Sequence, residues 1–319
     1  VAERARELAA ASGKADVGEG ITLPPLTRSF TEDAVTYSSV EVCMNRAAGN
    51  ATITIKGPSE EAHADMNAFV AEGAENWILR SARELDDAIP HLRNNEKELG
   101  LIQFQTQGDP EQVVAHEALL LANRDHWLAN EVLHYWKRVL KRVDMTSRSL
   151  VAIVEHGSCF AGPLAELLWA ADRSYMMLED FDGDNRALAA VTLTAGNFGC
   201  YPMGNDLTRL QTRYLGTPEQ VEKLKSSIGE PLEAEDAEEL GLVTYAYDDI
   251  DWEDEVRLFI EERASFSPDA MTGMEANLRF AGPETMETRI FGRLTAWQNW
   301  IFQRPNAVGE DGALQRYGS

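Results

Sequence analysis

One stretch of the sequence constrains the fold more than any other: residues 149–178, which read SLVAIVEHGSCFAGPLAELLWAADRSYMML. It begins with a near-continuous apolar run, of the kind that strands adopt when both faces of a parallel sheet are covered. A loop of small residues follows, and then Leu164, Leu167, Leu168 and Ala171 recur at helical spacing. The run RSYMML ends the stretch as a second strand. This order predicts a parallel sheet with covering helices, which is the α/β class.

Other parts of the chain show the same alternation of strands and helices. Period-2 stretches separated by AAGN predict a β-hairpin, and apolar residues at helical spacing predict two long helices. The predicted elements are a hairpin over 37–46 and 51–56, a helix over 77–92, a strand over 100–108, a helix over 127–143, and helices in most of 205–263. The hairpin followed by strand and helix units again indicates an α/β fold.

The two ends of the chain differ from this middle part. The opening VAERARELAAASG is typical of the last turns of an amphipathic helix with a glycine stop, and no initiator methionine precedes it. We therefore expect residues 1–34 to be the end of a preceding domain's helix plus a linker. Residues 35–262 form the predicted α/β domain. Residues 263–319 are predicted to be a helical, aromatic-rich tail that packs on the body or on a partner subunit.

Charge and cysteine content exclude several classes of function. The net charge of −24 and the pI of about 4.6 argue against nonspecific nucleic-acid binding and against binding to anionic membranes. The three cysteines are odd in number and lack metal-ligand spacing, which favours a reducing cytoplasm and no metal site. No apolar run is long enough to span a bilayer. An anionic ligand would have to be held by local basic groups or by backbone N–H donors.

The loop between the buried strand and the helix is the place where chemistry is expected. Small residues in HGSCFAGP would let a substrate approach the main chain, and N–H groups at the start of a helix form an electropositive spot. Such donors stabilise an enolate or a tetrahedral oxyanion without a charged side chain. Close packing of the helix on the strand explains the same small residues. The loop alone does not decide between the two.

Three segments in order resemble the crotonase (enoyl-CoA hydratase/isomerase) superfamily. SLVAIVEHGSCFAGPLAELLWAADRS stands in the place of the family's oxyanion loop, GNFGCYPMGNDLTRLQTRYLG in the place of its Leu-Gly-x-x-Pro segment, and IGEPLEAEDAEELGLV in the place of its Ala-x-x-x-Gly-Leu-Val ending. The resemblance implies a crotonase-like spiral of ββα turns with a helical C-terminal extension. It further implies trimeric discs or dimers of such discs, acyl-CoA thioester substrates and no cofactor.

The same resemblance implies that this chain keeps one of the family's two catalytic acids and lacks the other. The family's first catalytic glutamate corresponds to Glu166, and its second falls at Ala195, which cannot move a proton. A general acid–base pair is therefore reduced to one member, and losing such a group costs roughly 10² to 10⁴ in rate. We expect Glu166 to be a vestigial or structural acid, with a working catalytic role as the alternative.

The oxyanion donors also depart from the family's pattern. The donor glycine of the loop falls at Pro163, which has no N–H. One extra residue before Glu166 would let Gly162 or Leu164 take over that role. The other donor is expected between Gln105 and Gly108. The candidate backbone groups are those of Gly108, Gly157 and Gly162.

At a finer level, three segments look like the later half of a ring-cleaving member of the superfamily in which two crotonase-like halves lie in tandem: VEHGSCFAGPLAELLWAADRSYMM, GCYPMGNDLTRLQTRYLGTP and WQNWIFQRPNAVGEDGALQRYG. The resemblance implies cleavage of 2,3-epoxybenzoyl-CoA in aerobic benzoate degradation, with release of formate and 3,4-dehydroadipyl-CoA semialdehyde and without a metal or redox cofactor. The complete glutamate pair would lie in the preceding half, and this half would support the site or form a homodimer. The alternatives are a noncatalytic scaffold and a self-standing acyl-CoA hydratase.

Three further patterns each allow a functional and a structural interpretation, and we prefer the structural one. Cys159 near His156 suggests a thiolate–imidazole pair, but small buried cysteines are commoner. The acidic run at 179–185 lacks the glycine and glutamate that a calcium loop requires, which favours an acidic turn. Lys137, Arg138, Lys141 and Arg142 follow one helix edge, where they would hold CoA phosphates or form a solvated salt-bridge face.

Overall fold

The computed structural model describes residues 1–12, 20–178, 187–280, 282 and 284–316. The strands of the described residues are β1 (Ser29–Phe30), β2 (Ala34–Thr36), β3 (Val40–Asn45), β4 (Asn50–Lys56), β5 (Leu101–Gln107), β6 (Ser149–Val154), β7 (Phe160–Ala161), β8 (Arg173–Met177), β9 (Val191–Thr192), β10 (Pro231–Leu232) and β11 (Tyr245–Tyr247). The predicted acidic turn at 179–185 lies outside the described residues.

The helices of the described residues are α1 (Ala2–Ala11), α2 (Met66–Glu72), α3 (Trp77–Asn95), α4 (Pro110–Ala122), α5 (Trp127–Asp144), α6 (Gly162–Ala170), α7 (Arg209–Arg213), α8 (Glu219–Leu224), α9 (Ala234–Glu239), α10 (Asp249–Ala264), α11 (Pro268–Leu278), α12 (Met286–Thr288), α13 (Thr295–Ile301) and α14 (Pro305–Val308). Short 3₁₀ turns lie at Gly73–Glu75, Ala195–Phe198 and Lys225–Ser227, and Arg289–Leu294 is π-helical.

Within this part of the chain, eight strands form the main sheet in the order β1-β2-β3-β4-β5-β6-β8-β11. Strands β1 to β4 pair antiparallel, and β3 and β4 form the predicted hairpin, with Val40 opposite Ile55 and Val42 opposite Ile53. From β4 to β11 every pairing is parallel. A smaller sheet has the order β10-β9-β7. The predicted α/β class is therefore confirmed.

Helices cover both faces of the main sheet. On one face α3 and α5 pack against each other, and the Trp136 indole N–H donates to the Ile78 carbonyl at 2.7 Å. The residues whose spacing predicted these helices are buried. On the other face, Trp252 and Phe259 of α10 pack against Val151 and Tyr175. The apolar run of β6 is buried at every position because both of its faces are covered.

In two regions the structure differs from what the sequence pattern predicts. Helix α6 was expected to bury one side, but all nine of its residues are buried, because α4, α5 and the small sheet surround it. The region 205–263 contains helices α7 to α10, as predicted, together with the short strands β10 and β11, which the helical pattern did not indicate. Two-residue and three-residue strands carry too little periodicity to be recognised from sequence.

The ends of the chain are helical. Every residue of α1 is exposed. At the other end, α11 is fixed to the body by Arg279, which donates to the Ala170 carbonyl at 2.6 Å and to Asp172 at 3.0 Å. These contacts attach the helical C-terminal extension to the last turn of α6. The domain boundaries at residues 34 and 262 stay a prediction. Among the described residues, no helix is long and apolar enough to cross a membrane.

Candidate functional site

The candidate acid Glu166 lies in the middle of α6, which the chain reaches through two glycine turns. Gly157 has a φ of 77° and Gly162 a φ of 49°, and both values favour glycine because a Cβ atom would be strained there. Gly162 begins α6, and Pro163 follows in the first turn. Proline fits this position because its missing N–H has no partner within the helix. The loop of small residues therefore ends in a helix start that Pro163 stabilises.

Glu166 is fully engaged by neighbouring side chains. Its Oε1 accepts a hydrogen bond from Asn197 Nδ2 at 2.8 Å, and its Oε2 accepts one from Arg209 Nη1 at 2.9 Å. Arg209 also donates to both carboxylate oxygens of Asp144, at 3.1 and 2.6 Å. Glu166 and Arg209 are each 1% exposed, and Asp144 is 3% exposed. These three residues form a buried ion triad, Asp144–Arg209–Glu166, that holds the candidate acid in place.

Burial and the triad act on the protonation of Glu166 in opposite directions. Burial raises its pKa to about 7, although the Arg209 charge and the Asn197 amide favour the carboxylate. For Arg209, burial acts to lower the pKa, and the two carboxylates more than offset it, so the pKa lies above its ordinary value. Arg209 is thus a permanent cation between two acids. A proton arriving at or leaving Glu166 changes the charge of the whole triad.

The structure does not give Glu166 an acidic partner from the 3₁₀ turn Ala195–Phe198. Ala195, which stands in the place of the family's second glutamate, is exposed. The side chain of this turn that reaches Glu166 is the Asn197 amide. An amide neither accepts nor releases a proton near neutral pH. The expected reduction of the acid–base pair to one member is consistent with this arrangement.

The candidate oxyanion donors fall in two separate places. The Gly108 N–H donates to the Gly157 carbonyl at 2.9 Å, so this donor is used within the protein. The backbone at Gly108 passes close to the backbone at Gly57, since a Cβ atom at Gly108 would lie 3.0 Å from the Gly57 Cα. Gly162 lies instead at the start of α6. The structure therefore brings Gly108 and Gly157 together and leaves Gly162 with Glu166 on the helix.

A polar cavity of about 400 Å³ lies at the carboxyl ends of β4, β5, β6 and β8. Its lining includes Lys56, Gln105, Gln107, Glu155 and His156. The ends of parallel strands are where ligands bind in many α/β proteins. Glu166 is not among the lining residues, because α6 buries it behind the sheet. The open space and the candidate acid are at different positions.

A second buried acid, Glu117 of α4, was missed by the sequence analysis. Glu117 is fully buried, and the Tyr201 hydroxyl donates to its Oε1 at 2.6 Å. Its carboxyl group lies directly over two glycines: a Cβ atom on Gly162 would be 2.7 Å from Oε2, and one on Gly196 would be 2.2 Å from Oε1. Burial raises the pKa of Glu117, against the effect of the Thr194 and Tyr201 hydroxyls.

Two signals in the sequence could have indicated Glu117. The letters GDPE mark a helix start: the Asp109 side chain accepts from the Glu111 N–H, and Pro110 stands in the first turn. Glu117 then shares a helix face with the buried Val113 and Leu120, at spacings of four and three. An acid in an apolar stripe is unusual enough to be a candidate.

Cys159 and His156, the candidate thiolate–imidazole pair, both make contacts within the fold. Cys159 is fully buried, its backbone N–H donates to Thr106 Oγ1 at 2.8 Å, and burial raises the pKa of its thiol to about 11. The His156 Nδ1 lies 3.1 Å from the Ala187 carbonyl. A thiol with such a pKa is not a ready nucleophile near neutral pH. All three cysteines are free.

The basic edge of α5 pairs with an acid of α3. Arg138 and Arg142 lie 3.4 and 2.7 Å from the Asp86 carboxylate, and Arg138 lies over the Tyr135 ring. These contacts support the interpretation as a salt-bridge face. No group of histidine, cysteine and acidic side chains that could hold a metal ion occurs in the described part of the chain.

Comparison with known proteins identifies a relative by sequence. The chain is 46% identical over 316 residues to a benzoyl-CoA-dihydrodiol lyase of Aromatoleum evansii. The match covers 99% of this chain and 56% of that protein, so the chain spans little more than half of its relative's length. No protein-family model matches the chain.

Solved structures show the fold. An enoyl-CoA hydratase from Geobacillus kaustophilus has a TM-score of 0.58 at 14% identity, covering 86% of this chain and 92% of that one. Pseudomonas aeruginosa AtuE gives 0.59 at 14% identity, covering 88% and 97%. An enoyl-CoA hydratase from Thermoplasma volcanium gives 0.57 at 16% identity, covering 83% and 93%. The chain therefore has the crotonase fold, and nearly all of its sequence is similar to benzoyl-CoA-dihydrodiol lyase.

Proposed function

We propose that the chain is the C-terminal crotonase-like half of a lyase that cleaves the ring of 2,3-epoxybenzoyl-CoA in benzoate degradation, with release of formate and 3,4-dehydroadipyl-CoA semialdehyde. In this proposal the chain supports the enzyme, and a preceding crotonase-like half performs the acid–base chemistry in the cytoplasm. The sequence similarity to benzoyl-CoA-dihydrodiol lyase over 99% of the chain supports the substrate class.

One observation carries the noncatalytic role: Glu166 is locked in the buried ion triad. A general acid or base must come within hydrogen-bond reach of the group that it protonates or deprotonates. Both oxygens of Glu166 already accept hydrogen bonds, and the side chain does not reach solvent. Two expected oxyanion donors are also spent or missing, since the Gly108 N–H is used by Gly157 and Pro163 has none. Each lost donor costs about 10² to 10³ in rate.

The test compares two substitutions in the complete enzyme, Glu166→Gln and Asp144→Asn. Both remove a negative charge from the same triad, but only Glu166 stands at the family's catalytic position. If the triad is structural, both variants lower the melting temperature while kcat for ring cleavage stays within about twofold of wild type. A loss beyond about tenfold in Glu166→Gln alone, at unchanged stability, would show that Glu166 takes part in proton transfer.

The supporting role includes assembly into a homodimer through the tail. Large apolar side chains are exposed there, including Leu278, Met286 and Phe291. Residues 284–316 carry four acidic and four basic side chains, so this surface is charge-balanced in a chain of net charge −24. Two copies can therefore meet at the tail without strong mutual repulsion. Light scattering is expected to give a dimer mass that Phe291→Asp reduces to that of one subunit, and an unchanged mass would reject the tail interface.

A further inference from the structure

The start of α6 has an unusual environment for a helix end. Its N-cap residue, Ala161, has no side chain that could accept from the first N–H groups, and the whole first turn is buried. The N-terminus of a helix carries unpaired N–H donors and a partial positive charge. Carboxylates and carbonyl oxygens are the groups that such a position attracts.

The Glu117 carboxyl lies beside this helix start, against Gly162. Oε2 lies where a side chain of Gly162 would have to be, and Oε1 lies where a side chain of Gly196 would have to be. The two glycines therefore leave a slot of carboxyl size, and α4 fills it from outside the helix. The Tyr201 hydroxyl closes the slot on the Oε1 side.

The second oxygen of Glu117 points to a ligand-binding environment. Oε2 is buried and accepts no hydrogen bond from the described residues: no N–H of α6 reaches it, and the nearby Thr194 hydroxyl donates to Asn197 instead. A buried polar atom without a partner carries a free-energy cost, so natural proteins retain few of them. Glu166, one helix turn further along α6, has a partner for each oxygen. The unpartnered oxygen thus lies at the helix start, beside Gly162.

We propose that the start of α6 is a binding site for a small carboxylate or carbonyl group and that Glu117 of the same chain occupies it. The inference deepens the proposed supporting function, on which it rests, because an internal occupant keeps a thioester oxygen out of the slot. Removing the Glu117 side chain opens a polar cavity at the helix start. Small external carboxylates then take the place of the missing one, as apolar ligands enter engineered apolar cavities.

The experiment measures the melting temperature of Glu117→Ala in sodium acetate and in sodium chloride at equal ionic strength. Wild type, Glu117→Gln and Glu111→Ala are the controls, because the first two keep the slot filled and Glu111 is an exposed acid of the same helix. We expect a saturable rise of about 2 to 4 °C with acetate in Glu117→Ala alone. Equal melting temperatures in acetate and chloride would overturn the proposal.

A second measurement tests the placement of the carboxyl. Gly196 has no left-handed φ, so Gly196→Ala meets only the steric conflict with Glu117 and Tyr201. We expect Gly196→Ala to lower the melting temperature in wild type and to lower it by less than half as much in Glu117→Ala. If Glu117→Ala does not fold, Glu117→Asp replaces it, because the shorter side chain withdraws the carboxyl from Gly196. Equal effects of Gly196→Ala in both backgrounds would overturn the proposal.

These outcomes are separable from the proposed function. The occupied slot is tested by the effect of acetate on Glu117→Ala and by the effect of Gly196→Ala in two backgrounds. Neither experiment measures turnover. The supporting role is tested by kcat of Glu166→Gln, which leaves Glu117 in place. Failure of acetate to stabilise Glu117→Ala would leave the supporting role standing, and a large fall in kcat for Glu166→Gln would leave the slot standing.

Discussion

Two buried glutamates reach α6 from different sides, and they are held in different ways. Glu166 is part of α6 itself and has a hydrogen-bond donor for each oxygen, one of them the cation Arg209. Glu117 comes from α4, has the Tyr201 hydroxyl on one oxygen, and has no partner among the described residues on the other. One acid is a fixed part of an ion network, whereas the other fills a slot.

The difference shows why burial alone does not identify a catalytic acid. Burial raises the pKa of both groups, and a raised pKa is also what a general acid needs. What separates the two is whether each carboxyl oxygen has a hydrogen-bond partner among the described residues. Glu166 has a partner for both oxygens. Glu117 has one oxygen without a partner, and it lies at the start of the helix.

The largest expected effect comes from removing the cation of the triad. Arg209→Met leaves Asp144 and Glu166 buried without a counter-charge, and breaking a buried ion pair in this way costs about 3 to 5 kcal/mol. We expect urea unfolding to show a loss of that size. Arg257→Met is the matched control: Arg257 pairs with Asp254 and Glu261 on an exposed surface, where a change within about 0.5 kcal/mol is expected. A loss below about 1 kcal/mol in Arg209→Met would show that the triad is not a structural network.

The next effect is a pH dependence of stability that comes from Glu166. Its pKa is raised to about 7 in the folded protein, so the folded state binds its proton more tightly than the unfolded state does. The associated stability is fully present below the unfolded pKa of about 4.3 and is lost as the pH rises through 7. We expect this group to lower the free energy of unfolding by about 3 kcal/mol between pH 5 and pH 8.

Chemical denaturation at a series of pH values measures this dependence, and Glu166→Gln is expected to remove the Glu166 part of it. Burial raises the pKa of Glu275 to about 8. This residue is unchanged in Glu166→Gln, so the fall in unfolding free energy that it causes at higher pH remains. Identical pH profiles for wild type and Glu166→Gln would contradict the raised pKa of Glu166.

A smaller effect separates the two glutamates directly. Glu166→Gln keeps one acceptor oxygen for the two donors Asn197 and Arg209, so one buried donor loses its partner, which costs about 1 to 3 kcal/mol. Glu117→Gln keeps an oxygen for the Tyr201 hydroxyl and loses no ion pair, so we expect a cost below about 1 kcal/mol. The measurement is the difference in unfolding free energy at pH 5.5, where the raised pKa of Glu166 keeps this group protonated and the pH-dependent loss is absent. Equal costs, or a larger cost for Glu117→Gln, would contradict the conclusion that Glu166 belongs to a fixed hydrogen-bond network whereas Glu117 only fills a slot.

The sequence was sufficient for the frame of the fold and for the position of Glu166. The apolar run of β6 and the spacing of α5 are local patterns, and local patterns suffice to predict elements that bury a face. The resemblance to the crotonase superfamily then placed Glu166 on the helix after the glycine loop. Those predictions agree with the structure because each depends on residues that are close together in the chain.

The partners of Glu166 could not be predicted in the same way. Arg209 is 43 residues away from it and Asn197 is 31 residues away, and no spacing rule joins such distant positions. Glu117 was missed for a related reason: its slot is formed by Gly162 and Gly196, which come from two later elements. Whether an acid is free or engaged is decided by tertiary packing, and the sequence shows it only where a charged residue interrupts an apolar stripe.

Whether Glu166 meets the substrate can be measured by thioester binding to the complete enzyme with and without the Glu166 carboxylate. Calorimetric titration with benzoyl-CoA gives the dissociation constant of wild type and of Glu166→Gln. If the thioester never reaches Glu166, the two constants agree within about twofold. A weakening of tenfold or more, about 1.4 kcal/mol, in a variant with an unchanged melting temperature would place the thioester at Glu166 and contradict a purely structural role of this residue.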